Sequence, residues 1–207
     1  MHTSRLFSRT LLVPVAALLA LPLLAAPAQA AWKFDPGHSK VSFTVSHFFT
    51  PVEGSFDDVA VNINFDPANL EASSVDATIK VASVNTASEN RDKHLASPDF
   101  FEAEKFPEMT FKSTSVKKVG ENKLVARGPL TIKGVSKDVE LAIDVLGVKE
   151  LPAELQEAFG GLKAVASFKA TTKINRNDFG VGVGSYAATL VVGDEISIEI
   201  LVEAHQQ

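Results

Sequence analysis

Apolar and polar residues alternate with a period of two along most of the chain beyond residue 31. In the stretch HSKVSFTVSHFF, Val41, Phe43 and Val45 alternate with Ser42 and Thr44. Successive side chains of a β-strand point to opposite faces of a sheet, so each such run predicts a strand with one apolar and one polar face. Comparable runs occur near residues 59–65, 75–81, 109–114, 124–132, 139–145, 164–171 and 196–200.

The number of these strands favours a closed antiparallel sheet. Turn-forming pairs such as Glu53-Gly54, Asp66-Pro67 and Lys133-Gly134 separate the runs, which is typical of hairpin connections. About eight strands must each hide an apolar face, and closure into a barrel does so while removing exposed sheet edges. The sequence therefore predicts a mainly β fold, an antiparallel barrel of about eight strands, with a two-sheet sandwich as the competing architecture. The interior of such a barrel is either filled by side chains or holds one small ligand.

Two segments carry helical signals instead. Thr86-Ala-Ser-Glu89 matches a capping box, and Ser97-Pro98 matches a second helix start, so a helical insertion is predicted near 86–106. A short helix is also predicted near 152–159.

The first thirty residues have the order of a secretory signal peptide. A basic region precedes the uncharged run 11–24, and Ala28 and Ala30 occupy the small positions of an A-x-A cleavage site. We predict cleavage after Ala30, which leaves residues 31–207 as a single domain. An uncleaved membrane anchor is the alternative. The predicted location is the periplasm, with secretion from the cell as the other outcome of export.

Charge and cysteine content narrow the range of partners. The formal net charge is −5, and it becomes −7 once Arg5 and Arg9 leave with the signal peptide. An acidic protein is a poor match for nucleic acid or an anionic membrane, so we expect neither partner and no stable membrane insertion after cleavage. The sequence contains no cysteine, which rules out disulfides and thiolate chemistry.

Residues that could carry chemistry are sparse. His38 and His47 are nine positions apart and would point to opposite faces of a regular strand, which argues against a shared metal ion. No G-x-S-x-G motif is present, and Gly180, Gly182 and Gly184 are not followed by a lysine or a helix start that would bind phosphate. No catalytic residue, metal site or cofactor is predicted.

The predicted insertion combines charged and aromatic residues. Arg91 and His94 belong to the polar run RDKH, and Phe100, Phe101 and Phe106 follow it. The polar run is either a solvated helix face or a polar lid that meets a ligand head group at the barrel mouth. The three phenylalanines are too many for an exposed loop, so we expect them to pack onto the barrel end as a plug or as the upper wall of a cavity.

Several motifs occur in an order that resembles the YceI-like family of exported bacterial proteins. They are WKFDPGHSKVSFTVSH, ENRDKHLASPDFF, FPEMTFKST, GPLTIKGVSKDVEL, INRNDFG and VGDEISIEI. The resemblance implies a lipocalin-like antiparallel barrel that binds a long amphiphile, such as a polyisoprenoid, an isoprenoid quinone or a fatty-acid-like molecule. It also implies a non-enzymatic role in isoprenoid lipid or quinone handling and in stress responses, with a homodimer as one assembly state. The segment LPAELQEAFGGLK departs from the shorter loop that is usual in the family.

The predicted ligand-binding residues come from the apolar strand faces and from the insertion. His47, Arg91 and His94 would orient the polar end of the ligand. Two alternatives to a binding protein are an enzyme with His47 as its base and an interaction module whose barrel is fully packed. The complete predicted set is Val41, Phe43, Val45, His47, Ile63, Ile79, Val81, Arg91, His94, Phe100, Phe101, Phe111, Ile132 and Phe168.

Overall fold

The computed structural model describes residues 31–184 and 191–207, and the signal peptide predicted at 1–30 lies outside these residues. Within the described ranges, the chain forms eleven β-strands, and eight of them contain the predicted alternating runs. The strands at 50–56, 84–85 and 115–120 were not predicted, and the first of these contains Glu53-Gly54, for which a turn was predicted. The strands are β1 Trp32–His47, β2 Thr50–Phe56, β3 Val59–Asn64, β4 Ser74–Lys80, β5 Val84–Asn85, β6 Glu108–Lys112, β7 Ser115–Gly120, β8 Lys123–Ile132, β9 Val135–Glu150, β10 Ala164–Asn175 and β11 Glu195–Gln206.

These strands close into an antiparallel barrel of eight staves, where a stave is one strand or two consecutive strands that follow one line. Three staves consist of two strands each, namely β2 with β3, β4 with β5 and β6 with β7. Each stave pairs with the next along the chain, and β11 pairs with β1 to close the barrel, for example Val41 with Ile200. The predicted barrel is confirmed, and the sandwich is excluded because one hydrogen-bonded sheet closes on itself.

Each two-strand stave is divided by a short interruption that the alternation pattern does not reveal. Asp57-Asp58 separates β2 from β3, a 3-10 helix at Val81–Ser83 separates β4 from β5, and Ser113-Thr114 separates β6 from β7. Local irregularities of this kind let a small barrel bend sharply without losing its pairing.

The first strand carries the largest irregularity of pairing against β11. Its register shifts between Asp35 and Lys40, and we call this segment the β1 bulge. The side chain of Asp35 accepts a hydrogen bond from the backbone N–H of Gly37 at 2.9 Å, which holds the bulge in a tight turn. The bulge lets one edge of β1 pair first with β3 and then with β2 while its other edge follows β11.

The predicted insertion contains one α-helix, α1, at Glu89–Ala96. Its N-cap residue is Ser88 and not the predicted Thr86, whose side chain instead donates to Oδ1 of Asp92 at 2.6 Å. The segment that begins at Ser97 forms turns where a second helical start was predicted. The short helix predicted near 152–159 is present as α2, Ala153–Gln156, followed by a turn.

The two ends of the barrel are closed in different ways. The upper end carries the β1–β2 turn, the insertion 86–107 and the 3-10 helix Arg176–Phe179 after β10, whereas the lower end carries the loop 65–73 and the α2 segment. At the lower end the indole Nε1 of Trp32 donates to the carbonyl of Phe65 at 2.9 Å, and Phe168 packs edge-on against Phe65 at 4.9 Å between ring centroids. This aromatic floor is a core cluster separate from the main one, which fills the rest of the barrel.

Among the helices of the described residues, none is both long enough and apolar enough to cross a membrane.

Candidate functional site

The inward faces of the strands enclose a cavity of about 250 Å³, named here the barrel cavity. Its wall is almost purely apolar and draws on every stave of the barrel. Among the described residues, the wall includes no histidine, lysine or carboxylate, and its one charged member is Arg176. The barrel interior is therefore a site for an apolar guest rather than an arrangement of reactive groups.

Ten of the fourteen predicted ligand-binding residues lie on this wall. The period of two places Val41, Phe43 and Val45 on the inner face of β1, as expected. Their contact with a ligand stays a prediction. The ten residues are Val41, Phe43, Val45, Ile63, Ile79, Phe100, Phe101, Phe111, Ile132 and Phe168.

Two predicted residues at strand ends lie outside the wall. Val81 is 1% exposed, but it begins the 3-10 helix after β4, so its side chain packs in the core beside the cavity. His47 is exposed, and its ring lies edge-on to Phe48 with 4.9 Å between centroids. The interior position expected for His47 is not observed, because His47 is the last residue of β1 and lies exposed at the upper edge of the barrel.

Arg91 and His94 also lie outside the wall and bind neighbours within the insertion. Arg91 donates from Nε to the hydroxyl of Thr86 at 2.7 Å and from Nη2 to the carbonyl of Thr86 at 2.6 Å. His94 places Nε2 at 3.1 Å from Oδ2 of Asp99, and its ring packs edge-on against Phe100. These contacts match the interpretation of a helix face with local polar pairs.

The apolar side of the insertion forms the upper wall of the cavity. Leu95 of α1 reaches the cavity together with Phe100 and Phe101. Phe101 packs edge-on against Phe56 at 6.0 Å between centroids, and Phe56 in turn contacts Phe43 at 5.6 Å. Phe100 and Phe101 therefore pack onto the barrel end as the upper wall of the cavity, as the sequence predicts, whereas Phe106 lies outside the wall.

Arg176 is a member of the wall that the sequence reasoning missed, although it lies in the motif INRNDFG. It begins the 3-10 helix Arg176–Phe179 and is 4% exposed. Its guanidinium donates to the carbonyls of Val181 and Gly182 at 2.9 and 2.7 Å. It also donates to the carbonyls of Val192 and Gly193 at 3.1 and 2.9 Å. With these donors engaged by backbone oxygens, Arg176 fastens the upper end of the barrel.

The exposed members of the cavity wall lie at the lower end, where β3 pairs with β4. Asn64 and Ser74 are the two exposed residues among the described members of the wall, and they are paired directly across these strands. Ser73, next to them, accepts a hydrogen bond from the backbone N–H of Asp66 through its hydroxyl at 3.1 Å. This polar edge, named here the lower rim, has no apolar run of its own, which is why the sequence pattern did not single it out.

The sequence profile of the YceI-like domain matches residues 32–204, which span the whole barrel. The chain belongs to the YceI-like family. A UPF0312 protein of Photorhabdus laumondii is 40% identical to it over 184 residues, which cover 85% of this chain and 91% of the relative. A UPF0312 protein of Pseudomonas putida is 38% identical over 164 residues, which cover 78% of this chain and 80% of that relative.

Three solved structures have the same barrel fold. The Campylobacter jejuni YCEI protein is 39% identical and superposes with a TM-score of 0.67 over 76% of this chain and 86% of its own. BcnA of Burkholderia cenocepacia is 30% identical, with a TM-score of 0.73 over 83% of this chain and 99% of its own. A polyisoprenoid binding domain from Saccharophagus degradans shares the fold at 15% identity, with a TM-score of 0.59 over 86% of this chain and 100% of its own.

Proposed function

We propose that this protein binds the hydrocarbon part of a long amphiphilic lipid inside the barrel cavity. The observation that carries the proposal is an apolar cavity of about 250 Å³ at the centre of a closed barrel. The ligand class is a polyisoprenoid, an isoprenoid quinone or a fatty-acid-like molecule. The polyisoprenoid binding domain of Saccharophagus degradans has the same fold, and this likeness supports the same ligand class for this chain.

The size and chemistry of the cavity favour hydrocarbon over water. A dry engineered cavity of about 150 Å³ lined by leucine, isoleucine and phenylalanine already binds benzene. The barrel cavity is larger and offers almost no polar surface to which water could donate or accept a hydrogen bond. Each buried methylene contributes about 0.8 kcal/mol, so a chain of moderate length binds without any ion pair.

The lower rim is the place for the polar end of the ligand. Asn64 and Ser74 reach both solvent and the cavity, whereas the upper end is closed by Phe100 and Phe101 and fastened by Arg176. A tail that enters from below would leave its head group beside the amide and hydroxyl groups of the rim. This orientation replaces the one in which His47, Arg91 and His94 bind the head group.

Binding is a better account of the cavity than catalysis. Within the described residues, the wall has no histidine or carboxylate that could act as a general base, and His47 lies outside it. A fully packed interaction module would leave no cavity of this size. Retention of a bound lipid is thus the activity that the interior supports.

The compartment in which this binding occurs is proposed to be the periplasm, reached through cleavage of residues 1–30. The test is the mass of the protein recovered from the periplasmic fraction of its own cells. A chain that starts at Ala31 supports export with cleavage, and a chain that retains its first thirty residues contradicts it.

The binding proposal is tested by ligand-dependent stability. Farnesol and palmitate are added separately to delipidated protein, and the melting temperature is recorded. A ligand that binds only the native state raises Tm by about 5 °C or more at roughly a hundred times its Kd. Native mass spectrometry and organic extraction of protein from its own cells identify any lipid already bound.

A matched pair of substitutions distinguishes the interior from the surface. Ala170 lies on the cavity wall, and Ala142 is exposed on the adjacent strand β9. Ala170→Phe should fill the cavity and abolish the Tm shift, while Ala142→Phe should retain it. The proposal is wrong if no lipid is extracted and neither ligand raises the Tm of the unaltered protein.

A further inference from the structure

Two histidines and two carboxylates meet on the outer surface of the barrel, where the β1 bulge lies against β11. Nδ1 of His38 lies 2.6 Å from Oδ2 of Asp35 and 3.8 Å from Oε1 of Glu203. Nε2 of His205 lies 3.5 Å from Oδ2 of Asp35 and 2.8 Å from Oε1 of Glu203. The four atoms thus form a closed ring in which imidazole nitrogens and carboxylate oxygens alternate.

The fold, and not sequence proximity, brings this group together. Asp35 pairs directly with Glu203 across β1 and β11, and Lys33 pairs with His205. The β1 bulge then returns His38 toward Asp35. His47 is the histidine nearest to His38 in the sequence, whereas closure of the barrel makes His205 its neighbour in the structure.

Asp35 and Glu203 lie directly opposite each other on β1 and β11, so their negative charges repel unless a positive charge lies nearby. Like charges placed opposite each other on adjacent strands destabilise a sheet. Both carboxylates are mostly shielded from solvent, with side-chain exposures of 19% for Asp35 and 27% for Glu203. A cation held between them would remove the repulsion.

We propose that Asp35, His38, Glu203 and His205 form a binding site for one divalent transition-metal ion of the zinc class. A tetrahedral zinc site with bonds of about 2.0–2.1 Å separates its ligand atoms by about 3.3 Å. The ligand atoms of Asp35, His38 and Glu203 lie within 4.8 Å of one another and would contract around an ion. Nε2 of His205 lies near Asp35 and Glu203 but farther from His38, and it would complete the set by turning toward the ion. Imidazole nitrogens favour zinc, copper and nickel, whereas magnesium and calcium favour an all-oxygen set.

Surrounding hydrogen bonds hold the ligands in place. The backbone N–H of Gly37 donates to Oδ1 of Asp35, which leaves Oδ2 directed at the ring. The backbone N–H of Glu203 donates to the hydroxyl of Ser39 at 3.0 Å and ties the bulge to β11. Supporting contacts of this kind fix the orientation of metal ligands. His38, at 70% exposure, is the ligand of the proposed site that solvent reaches most easily.

The site is independent of the barrel cavity and of any lipid, because none of its four residues lies on the cavity wall. The expected effect of the proposed site is on the stability of the barrel. An ion bound by residues of β1 and β11 would fasten the two strands whose pairing closes the barrel.

The test is calorimetric titration of the purified protein, free of any polyhistidine tag, with Zn²⁺ and separately with Mg²⁺. We expect one Zn²⁺ per chain, no heat from Mg²⁺ at the same concentration, and a higher Tm in the presence of Zn²⁺. His38→Ala and His205→Ala should each weaken Zn²⁺ binding at least about tenfold.

His94→Ala is the matched control, because His94 lies on α1 and pairs with Asp99, away from the proposed site. It should bind Zn²⁺ as the unaltered protein does. Asp35→Asn keeps the shape of the side chain and removes one charged ligand, and it should lose affinity while still melting cooperatively in EDTA. The proposal fails if the unaltered protein does not bind Zn²⁺, or if His94→Ala loses as much affinity as His38→Ala and His205→Ala.

Discussion

The guanidinium of Arg176 donates from Nε to the backbone carbonyl of Gly193 at 2.9 Å, so a buried cation joins the end of β10 to the segment that precedes β11. The same side chain also binds the carbonyls of Val181 and Gly182. A buried charge of this kind is stable only while its donors are engaged, and its backbone acceptors depend on it in return.

Arg176→Met should therefore be strongly destabilising. Each carbonyl left without a donor in the protein interior costs about 1–3 kcal/mol, so the total loss should exceed about 3 kcal/mol in urea unfolding. Arg127→Met is the control, because Arg127 forms an exposed ion pair with Glu140. That change should cost less than about 1 kcal/mol. Similar losses for both variants would contradict the fastening role of Arg176.

Gly128→Ala tests the tight packing where β8 passes the interruption between β6 and β7. A Cβ atom at Gly128 would lie 1.9 Å from the backbone carbonyl oxygen of Lys112, which no side-chain rotation relieves. Overpacking of this kind costs about 1–3 kcal/mol. Gly147→Ala has open space around the added methyl and should leave the free energy of unfolding nearly unchanged. Equal urea midpoints for the two variants would show that β8 can shift away from Lys112 at little cost and would contradict the prediction.

The contact between His38 and Asp35 should make the free energy of unfolding decrease at both high and low pH. Their hydrogen bond raises the pKa of His38 above its usual 6.5 and lowers the pKa of Asp35 below its usual 3.8. The His38 contribution is complete below pH 6.5 and is lost as pH rises through the raised pKa. The Asp35 contribution is complete above pH 3.8 and is lost as pH falls through the lowered pKa.

Proton NMR titration in metal-free buffer measures the pKa of His38 directly. Asp35→Asn should return that pKa toward 6.5, although Glu203 still faces the imidazole. An unchanged pKa of His38 in Asp35→Asn would assign its shift to another group.

Ser74→Trp tests the proposed entry at the lower rim. A bulky ring beside Asn64 should obstruct the opening, so that stopped-flow measurements with a fluorescent fatty acid show slower association and slower release. Asn122→Trp, in the turn between β7 and β8 at the same end, lies outside the wall and should leave both rates unchanged. Equal rates in all three proteins would place the entry elsewhere.

Eight of the eleven strands in the described residues were predicted, because one-sided burial imposes an alternation that is visible without knowledge of the partner strand. The strands β2, β5 and β7 were missed. The sequence could not predict the interruptions at Asp57-Asp58 and Ser113-Thr114, which arise from the curvature of the closed barrel. The cap of α1 was misassigned for a similar reason. Thr86 has the right residue type and spacing, but the position of Asp92 and Arg91 gives its hydroxyl other partners.

For the cavity, period alone placed Val41 and Phe43 on the wall but failed where regular structure ends. Val81 starts a 3-10 helix and His47 ends β1, so parity no longer determines the direction of either side chain. Arg176 was overlooked because a lone arginine in a turn motif gives no sign of the carbonyls that surround it. The neighbours of His38 were equally hidden, since they depend on closure of the barrel.

The pairing of β1 with β11 also bears on how the chain folds. Val41 and Ile200, which lie opposite each other, are separated by 159 positions (200 − 41) along the chain. Contacts between residues so distant in sequence form slowly, because the loss of chain entropy precedes the gain from pairing. The β8–β9 hairpin, joined by Lys133-Gly134, can form locally. The barrel, by contrast, can close only after β11 has been synthesised. Translation must therefore reach β11 before the barrel can close. Until then the nascent chain lacks its closed interior and remains largely unfolded.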